Sequence, residues 1–175
     1  MKKLYVLGLL SILVIGCHKT APQRPTYHTQ QSGVAVLQED SGLIKIIRYN
    51  EEQVDYANHF LAQWVVLDKR KWVLDEQSYW YLITEKGTGD TVKIEEERQI
   101  HLITRHLDGT LIADEEKIIT VGKREVIVAV DDDLPHRRVG DKLEMLVPWY
   151  LAYGQFGNED VEPYENIYIQ LTILQ

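Results

Sequence analysis

The sequence predicts an α+β protein, with a longer helix followed by an antiparallel domain of five or so short strands and one short helix. Three observations carry this prediction. From Tyr79 onward, aromatic and β-branched runs are separated by turns rich in Gly and Asp. Between Val130 and Arg138 a short segment opens on three aspartates and closes on two arginines, the charge order that suits a helix dipole. Ahead of both, Val54, Ala57, Phe60, Leu61, Trp64 and Val65 recur at spacings of three and four, which puts them on one helical face. Composition agrees with a folded domain: 45% hydrophobic and 26% charged over 175 residues. That excludes a disordered tail, a collagen-like repeat and a polytopic membrane protein. With 19 basic and 27 acidic residues the formal charge is −8 and no basic block is present, so nucleic acid is not an expected partner.

In chain order, Met1-Lys2-Lys3 leads into an apolar run from Leu4 to Gly16. Those 13 residues are too few to span a bilayer, which takes roughly 20, and have the layout of a secretory signal. The sole cysteine follows at once in Val14-Ile15-Gly16-Cys17, which resembles the bacterial lipobox. The thiol would take the diacylglycerol, and the small Gly16 would let signal peptidase reach the bond before it. A single cysteine forms neither an internal disulfide nor a Cys-based zinc site. His18 stands where Asp would signal inner-membrane retention, and no acidic export run follows. The expectation is an outer-membrane lipoprotein facing the periplasm, joined to the membrane through acylated Cys17.

The remaining boundaries are a leader over 1–16, a polar tether over 17–48, a helical segment over 49–74 and a domain over 75–175. The tether contains Pro22 and Pro25 among polar residues. Asn50 is the expected cap of a helix over about 51–70, with Gln53 as its capping-box partner and Lys69, Arg70 and Lys71 at its end. Its apolar face is read as packing on the domain, with pairing between two copies as the other reading. The expected strands are Tyr79–Thr84, Gln99–Leu107, Lys117–Val121, Asp141–Val147 and Asn166–Leu174.

Five pieces within Tyr79–Leu174 carry a family resemblance. They are Glu85-Lys86-Gly87-Thr88-Gly89, Leu107-Asp108-Gly109-Thr110, Val121-Gly122-Lys123-Arg124-Glu125-Val126-Ile127, Val139-Gly140-Asp141-Lys142, and Leu146-Val147-Pro148-Trp149-Tyr150-Leu151-Ala152-Tyr153-Gly154-Gln155-Phe156-Gly157. In this order and spacing the chain resembles the FK506-binding-protein (FKBP) class of peptidyl-prolyl cis-trans isomerases. The tether, the preceding helix and the Tyr79-Trp80-Tyr81 start resemble more specifically its gliding-motility-associated lipoprotein branch in Bacteroidetes. The resemblance implies an antiparallel half-barrel wrapped around one short helix, with the pocket between helix and sheet. It implies proline-containing polypeptide segments as partners and no cofactor.

Carried over residue by residue, Tyr153 is the tyrosine whose hydroxyl bonds the bound peptide carbonyl. Val126 and Ile127 supply pocket wall and a backbone N–H donor. Leu102, Ile112, Val130 and Ile169 fall where the family has bulky aromatics, and Phe156 and Val161 lie in the flap loop. The carboxylate of the family's Phe-Asp pair falls on Ala113, so it is missing here unless Asp114 takes its place after a one-residue shift.

Rotation about an X–Pro bond crosses a barrier of roughly 18–20 kcal/mol and needs no nucleophile. An apolar pocket with a few donors favours the twisted amide, which has lost its resonance dipole. Rival chemistry finds little support. The serines after the leader stand at 32, 41 and 78, before the domain's strands. His101 and His106, five apart on one strand, point to opposite faces and make a poor metal pair. Asp131-Asp132-Asp133 lacks the spacing of a calcium loop. Two functions remain open at the level of sequence. One is an isomerase acting on envelope proteins, weakened by its aliphatic pocket. The other is a non-enzymatic module that keeps the fold to bind a client or an envelope secretion or motility complex.

Overall fold

The computed structural model of the chain describes residues 41–175. The leader, Cys17 and the tether as far as residue 40 lie outside the described residues. Helix α1 (Ser41–Asp68) is 28 residues long and begins well before Asn50, so residues 41–48 are helix rather than tether. Leu43-Ile44-Lys45-Ile46-Ile47-Arg48 continues the helix with neither Pro nor Gly to interrupt it. Asn50 therefore sits inside the helix, and its side chain serves another purpose, described below. α1 stops where Lys69 turns left-handed (φ 62°), with its N–H donating to the Val65 carbonyl at 3.3 Å. Arg70 is past the helix end, and its guanidinium bonds Asp68 at 2.6 Å and Glu144 on the sheet at 2.7 Å.

The strands are β1 (Val73–Leu74), β2 (Trp80–Glu85), β3 (Glu97–His106), β4 (Leu111–Thr120), β5 (Lys142–Val147) and β6 (Ile167–Ile173). They form one six-stranded antiparallel sheet in the order β1-β2-β5-β6-β3-β4. The two-residue β1 has no strand pattern of its own. β4 runs much longer than Lys117–Val121 because it is an edge strand, and its Asp114-Glu115-Glu116 stretch hides the alternation that buried strands display.

Between β4 and β5 lie helix α2 (Val128–Asp133) and a 3-10 turn over Leu134–His136 that contains Pro135. α2 starts two residues before the predicted start, and its aspartates are not exposed helix-start charges. Asp131 accepts the N–H groups of Gly122 at 2.8 Å and Arg124 at 3.0 Å, and Asp133 is fully buried.

The sheet uses both faces. On one, Ile100, Leu143, Met145, Ile169 and Leu171 pack with Val130 and Leu134 in the main core. On the other, Leu146 joins Leu61 and Trp72, flanked by Trp64, Trp80 and Tyr168. Met145 and Leu146 adjoin in sequence and enter different cores, the period-two rule of a strand. α1 thus covers the sheet face opposite α2. No helix among the described residues is long and apolar enough to cross a membrane.

Candidate active site

A cavity of about 780 Å³ opens between β3, β4, the start of α2 and the loop after β5. Leu102, Ile112 and Ile169 line it with Val126, Ile127, Ala152 and Tyr153. Leu102 and Ile169 rise from the sheet and are buried, at 6% and 1% exposure. Ile112 faces the cavity together with its neighbour Ala113, although strand alternation would separate them. The β3–β4 register shifts here: Thr104 faces Ala113 and Arg105 faces Leu111, leaving Ile112 as a bulged extra residue. Ile127 is the residue before α2, with φ −58° and ψ 153°. Its carbonyl accepts the N–H groups of Val130 and Asp131, both at 3.1 Å, while its own N–H makes no backbone hydrogen bond among the described residues.

Three residues expected in the wall lie elsewhere. Val130 is 0% exposed on the inner side of α2 and belongs to the main core rather than to the cavity lining. Val161 is 2% exposed and also packs into that core, while Phe156 is 81% exposed and points to solvent. The flap loop explains the last two. Asn158 Oδ1 accepts the N–H groups of Asp160 and Val161, and Asn158 N–H donates to the Val161 carbonyl at 2.9 Å. This closed loop presses Val161 inward. Gly157 (φ 63°) passes so near that a Cβ there would lie 2.0 Å from the Val161 oxygen.

Asp114 does not take the place of the family's missing carboxylate. Asp114 is on the far face of β4, 2.6 Å from His101 Nε2. Ala113, Glu115 and Lys117 share the cavity face by alternation, so Glu115 is the carboxylate that β4 brings to the pocket, with Lys117 Nζ at 2.8 Å. Asp160 from the flap and Glu125, Arg124, Thr104 and Asn158 complete the rim. Arg124 is engaged by Asp132 at 2.7 Å. Burial, and then the Glu115 carboxylate, push the Tyr153 phenol above its usual range; a hydrogen bond with Thr104 opposes this and Asp160 adds to it. Tyr153 therefore stays a neutral O–H donor at ordinary pH. Periodicity could have singled out Glu115 had the length of β4 been legible.

The arrangement is chemically simple: an apolar floor, a phenol donor at its rim, and a backbone N–H at a helix start. His101 pairs with Asp114, and His106 Nδ1 lies 2.6 Å from Glu165. Among the described residues no group of three or more His, Cys, Asp or Glu is placed to hold a metal ion.

The fold is shared with solved structures. FkpA from Escherichia coli superposes with a TM-score of 0.61 at 17% identity, over 81% of this chain and 67% of that one. A peptidyl-prolyl cis-trans isomerase from Pseudomonas syringae pv. tomato str. DC3000 gives 0.62 at 17% identity, over 71% and 93%. The crystal structure of AtFKBP13 gives 0.56 at 15% identity, over 61% and 98%. No curated protein sequence matches this chain. At such identities the superpositions speak to the fold, and membership rests on sequence. The family model described as FKBP-type peptidyl-prolyl cis-trans isomerase matches residues 84–174, a span holding the strands β3 to β6, α2 and every residue of the cavity. By that match this chain belongs to the FKBP-type peptidyl-prolyl cis-trans isomerase family.

Proposed function

We propose that the protein is a prolyl isomerase and folding helper whose cavity accepts an X–Pro segment, with Tyr153 as hydrogen-bond donor to the peptide carbonyl. The observation that carries this reading is that Tyr153 lines one cavity with the apolar floor of Leu102, Ile112 and Ile169 and with Val126 and Ile127. The planar amide loses its resonance dipole as it twists. An apolar wall then favours the twisted form, and each donor that bonds the twisted carbonyl better than the planar one lowers the barrier. Every ~1.4 kcal/mol of such difference accelerates rotation tenfold. Val126 and Ile127 act as wall and donor, and Leu102, Ile112 and Ile169 as substrate floor.

A protease-coupled proline-isomerisation assay on the full chain tests this. Tyr153→Phe removes one neutral hydrogen bond, about 0.5–1.5 kcal/mol net, so kcat/KM should fall about two- to tenfold. A variant as active as wild type would remove Tyr153 from the reaction. A second reading, an FKBP-fold binding module with weak or no turnover, draws support from the aliphatic floor and from the burial of Val130 away from the cavity. Peptide binding without any isomerisation would select it.

For the cellular setting we infer a lipoprotein anchored by acylated Cys17 in the outer membrane, facing the periplasm and acting on envelope proteins. This rests on the lipobox-like Val14-Ile15-Gly16-Cys17, as the gliding-motility branch rests on sequence resemblance alone. Cys17→Ser should release the protein from carbonate-washed membranes, and retention would defeat the anchor. Pairing of two copies through α1 draws support from Leu43, Ile46, Val66 and Leu67, each more than half exposed on that helix. A monomer by sedimentation at micromolar concentration would refute the pairing.

A further inference from the structure

Helix α1 approaches the catalytic loop as well as the sheet. Trp149 begins a 3-10 turn (Trp149–Leu151) directly ahead of Tyr153. Its indole Nε1–H donates to the Gln53 carbonyl of α1 at 3.3 Å. The Tyr150 hydroxyl donates to Asn58 Oδ1 at 2.7 Å. The Tyr164 hydroxyl donates to Asn50 Oδ1 at 2.9 Å, and Asn50 Nδ2 donates to Gln155 Oε1 at 3.3 Å. Tyr164 also meets Tyr49 of α1 edge-on at 5.6 Å and Trp149 at 4.8 Å.

These contacts reach the backbone on both sides of Tyr153. The Trp149 carbonyl accepts the N–H of Ala152 at 3.1 Å and that of Gly154 at 2.8 Å, and the Gly154 carbonyl accepts the N–H of Tyr164 at 3.4 Å. Tyr153 thus hangs between two anchors, Trp149 and Tyr164, and each is tied to α1. The family match begins at residue 84, so the helix lies outside the matched segment and yet braces its central loop.

We propose that α1 is a positioning element for the reaction, with Asn50 and Asn58 as its positioning residues, holding the Trp149–Tyr164 loop so that Tyr153 faces the cavity. This rests on the isomerase reading for its consequence in rate, but the clamp itself is measurable without turnover. A phenol on an unbraced loop would spend part of its time away from the peptide carbonyl, and the rate would fall by that fraction.

The experiment compares the full chain with Asn50→Ala, Asn58→Ala, the double variant, Asn58→Asp and the control His59→Ala, whose side chain meets Gln63 rather than the loop. Two quantities are read: amide hydrogen exchange at Ala152 and Gly154, and kcat/KM for an Ala-Leu-Pro-Phe peptide. Loss of one neutral hydrogen bond predicts exchange about two- to tenfold faster in each alanine variant, and kcat/KM lower by a similar factor. Asn58→Asp keeps the acceptor oxygen for Tyr150 and should restore both values to near wild type, which a general loss of stability would not allow. His59→Ala should match wild type. Unchanged exchange in the double variant overturns the clamp. Faster exchange with unchanged kcat/KM overturns its role in the reaction. Absence of turnover in wild type defeats the isomerase reading, and the exchange data then still decide whether α1 holds the loop.

Discussion

The sharpest energetic test lies behind the cavity, at Asp133. Its carboxylate is 0% exposed and accepts three hydrogen bonds: Arg137 Nε at 2.7 Å, Arg137 Nη2 at 2.5 Å and the Tyr79 hydroxyl at 2.8 Å. Arg137 is itself only 7% exposed, and its guanidinium carbon lies 4.3 Å over the Tyr81 ring. Asp133→Asn keeps the shape of the side chain and removes its charge. A guanidinium is then buried without a counter-ion, and one amide N–H is turned toward donors. Removing one partner of a buried pair costs about 3–5 kcal/mol, against a whole-domain stability of about 5–15 kcal/mol. The remaining cation–π contact offers at most about 2 kcal/mol and is already present in the wild type. In urea, with a slope of about 1–3 kcal/mol per molar, the midpoint should fall by roughly 2 M, read by tryptophan fluorescence at pH 7. Asp132→Asn is the control, because Asp132 meets only the half-exposed Arg124 and should change stability by less than about 1 kcal/mol. Adding Arg137→Met to Asp133→Asn should recover part of the loss by removing the orphaned charge. If Asp133→Asn costs no more than Asp132→Asn, the buried pair does not hold this core together.

Four further outcomes follow from the same structure. Burial, and then Asp133, push the Tyr79 phenol far above its ordinary range. Its contribution is full below about pH 10, where the unfolded tyrosine also keeps its proton, and is lost as pH rises beyond that. Stability should therefore fall by about 1.4 kcal/mol per pH unit per such tyrosine above pH 10, and Tyr79→Phe should flatten the slope of urea midpoint against pH. Val130→Trp should lower the thermal midpoint without raising activity, since overpacking a filled core costs about 1–3 kcal/mol; a more active variant would show that the cavity reaches Val130. Glu115, Glu125 and Asp160 outnumber Lys117 and Arg124 on the rim, and Arg124 is engaged by Asp132, so Lys-Pro peptides should outrun Glu-Pro peptides at low salt and by less at high salt; Glu115→Gln should shrink the ratio, and equal rates in wild type would refute the electrostatic argument. A chain truncated before Tyr79 should keep a cooperative transition, because the main core is separate from the cluster around Leu61, but at a lower temperature, with Leu146 and Trp80 uncovered. Differential scanning calorimetry checks this, and absence of a transition would make α1 integral to the fold.

Local chemistry was enough to read the class of fold, the approximate place of the five main strands and the motif that carries Tyr153. Alternating apolar residues, Gly turns and the Val126-Ile127 step each act over a few neighbours, and such short-range patterns survive in a single sequence. Charge on an edge strand erased that pattern over Leu111–Glu116, so the length of β4, its bulge at Ile112 and the inward turn of Glu115 stayed hidden. The same limit applies to side chains whose partners are remote in sequence. Asn50 reads as a helix cap until Tyr164, 114 residues away, is brought to its oxygen. Asp133 reads as a helix-start charge until Tyr79, 54 residues away, and Arg137 close over it. Val130 and Val161 are apolar whether they line a cavity or fill a core, and only the packing of α2 and the closure of the Asn158 loop send both into the core. A side chain's type states which interactions it can make; which of them it makes depends on what the folded chain sets beside it, because burial and hydrogen bonding are satisfied by neighbours in space.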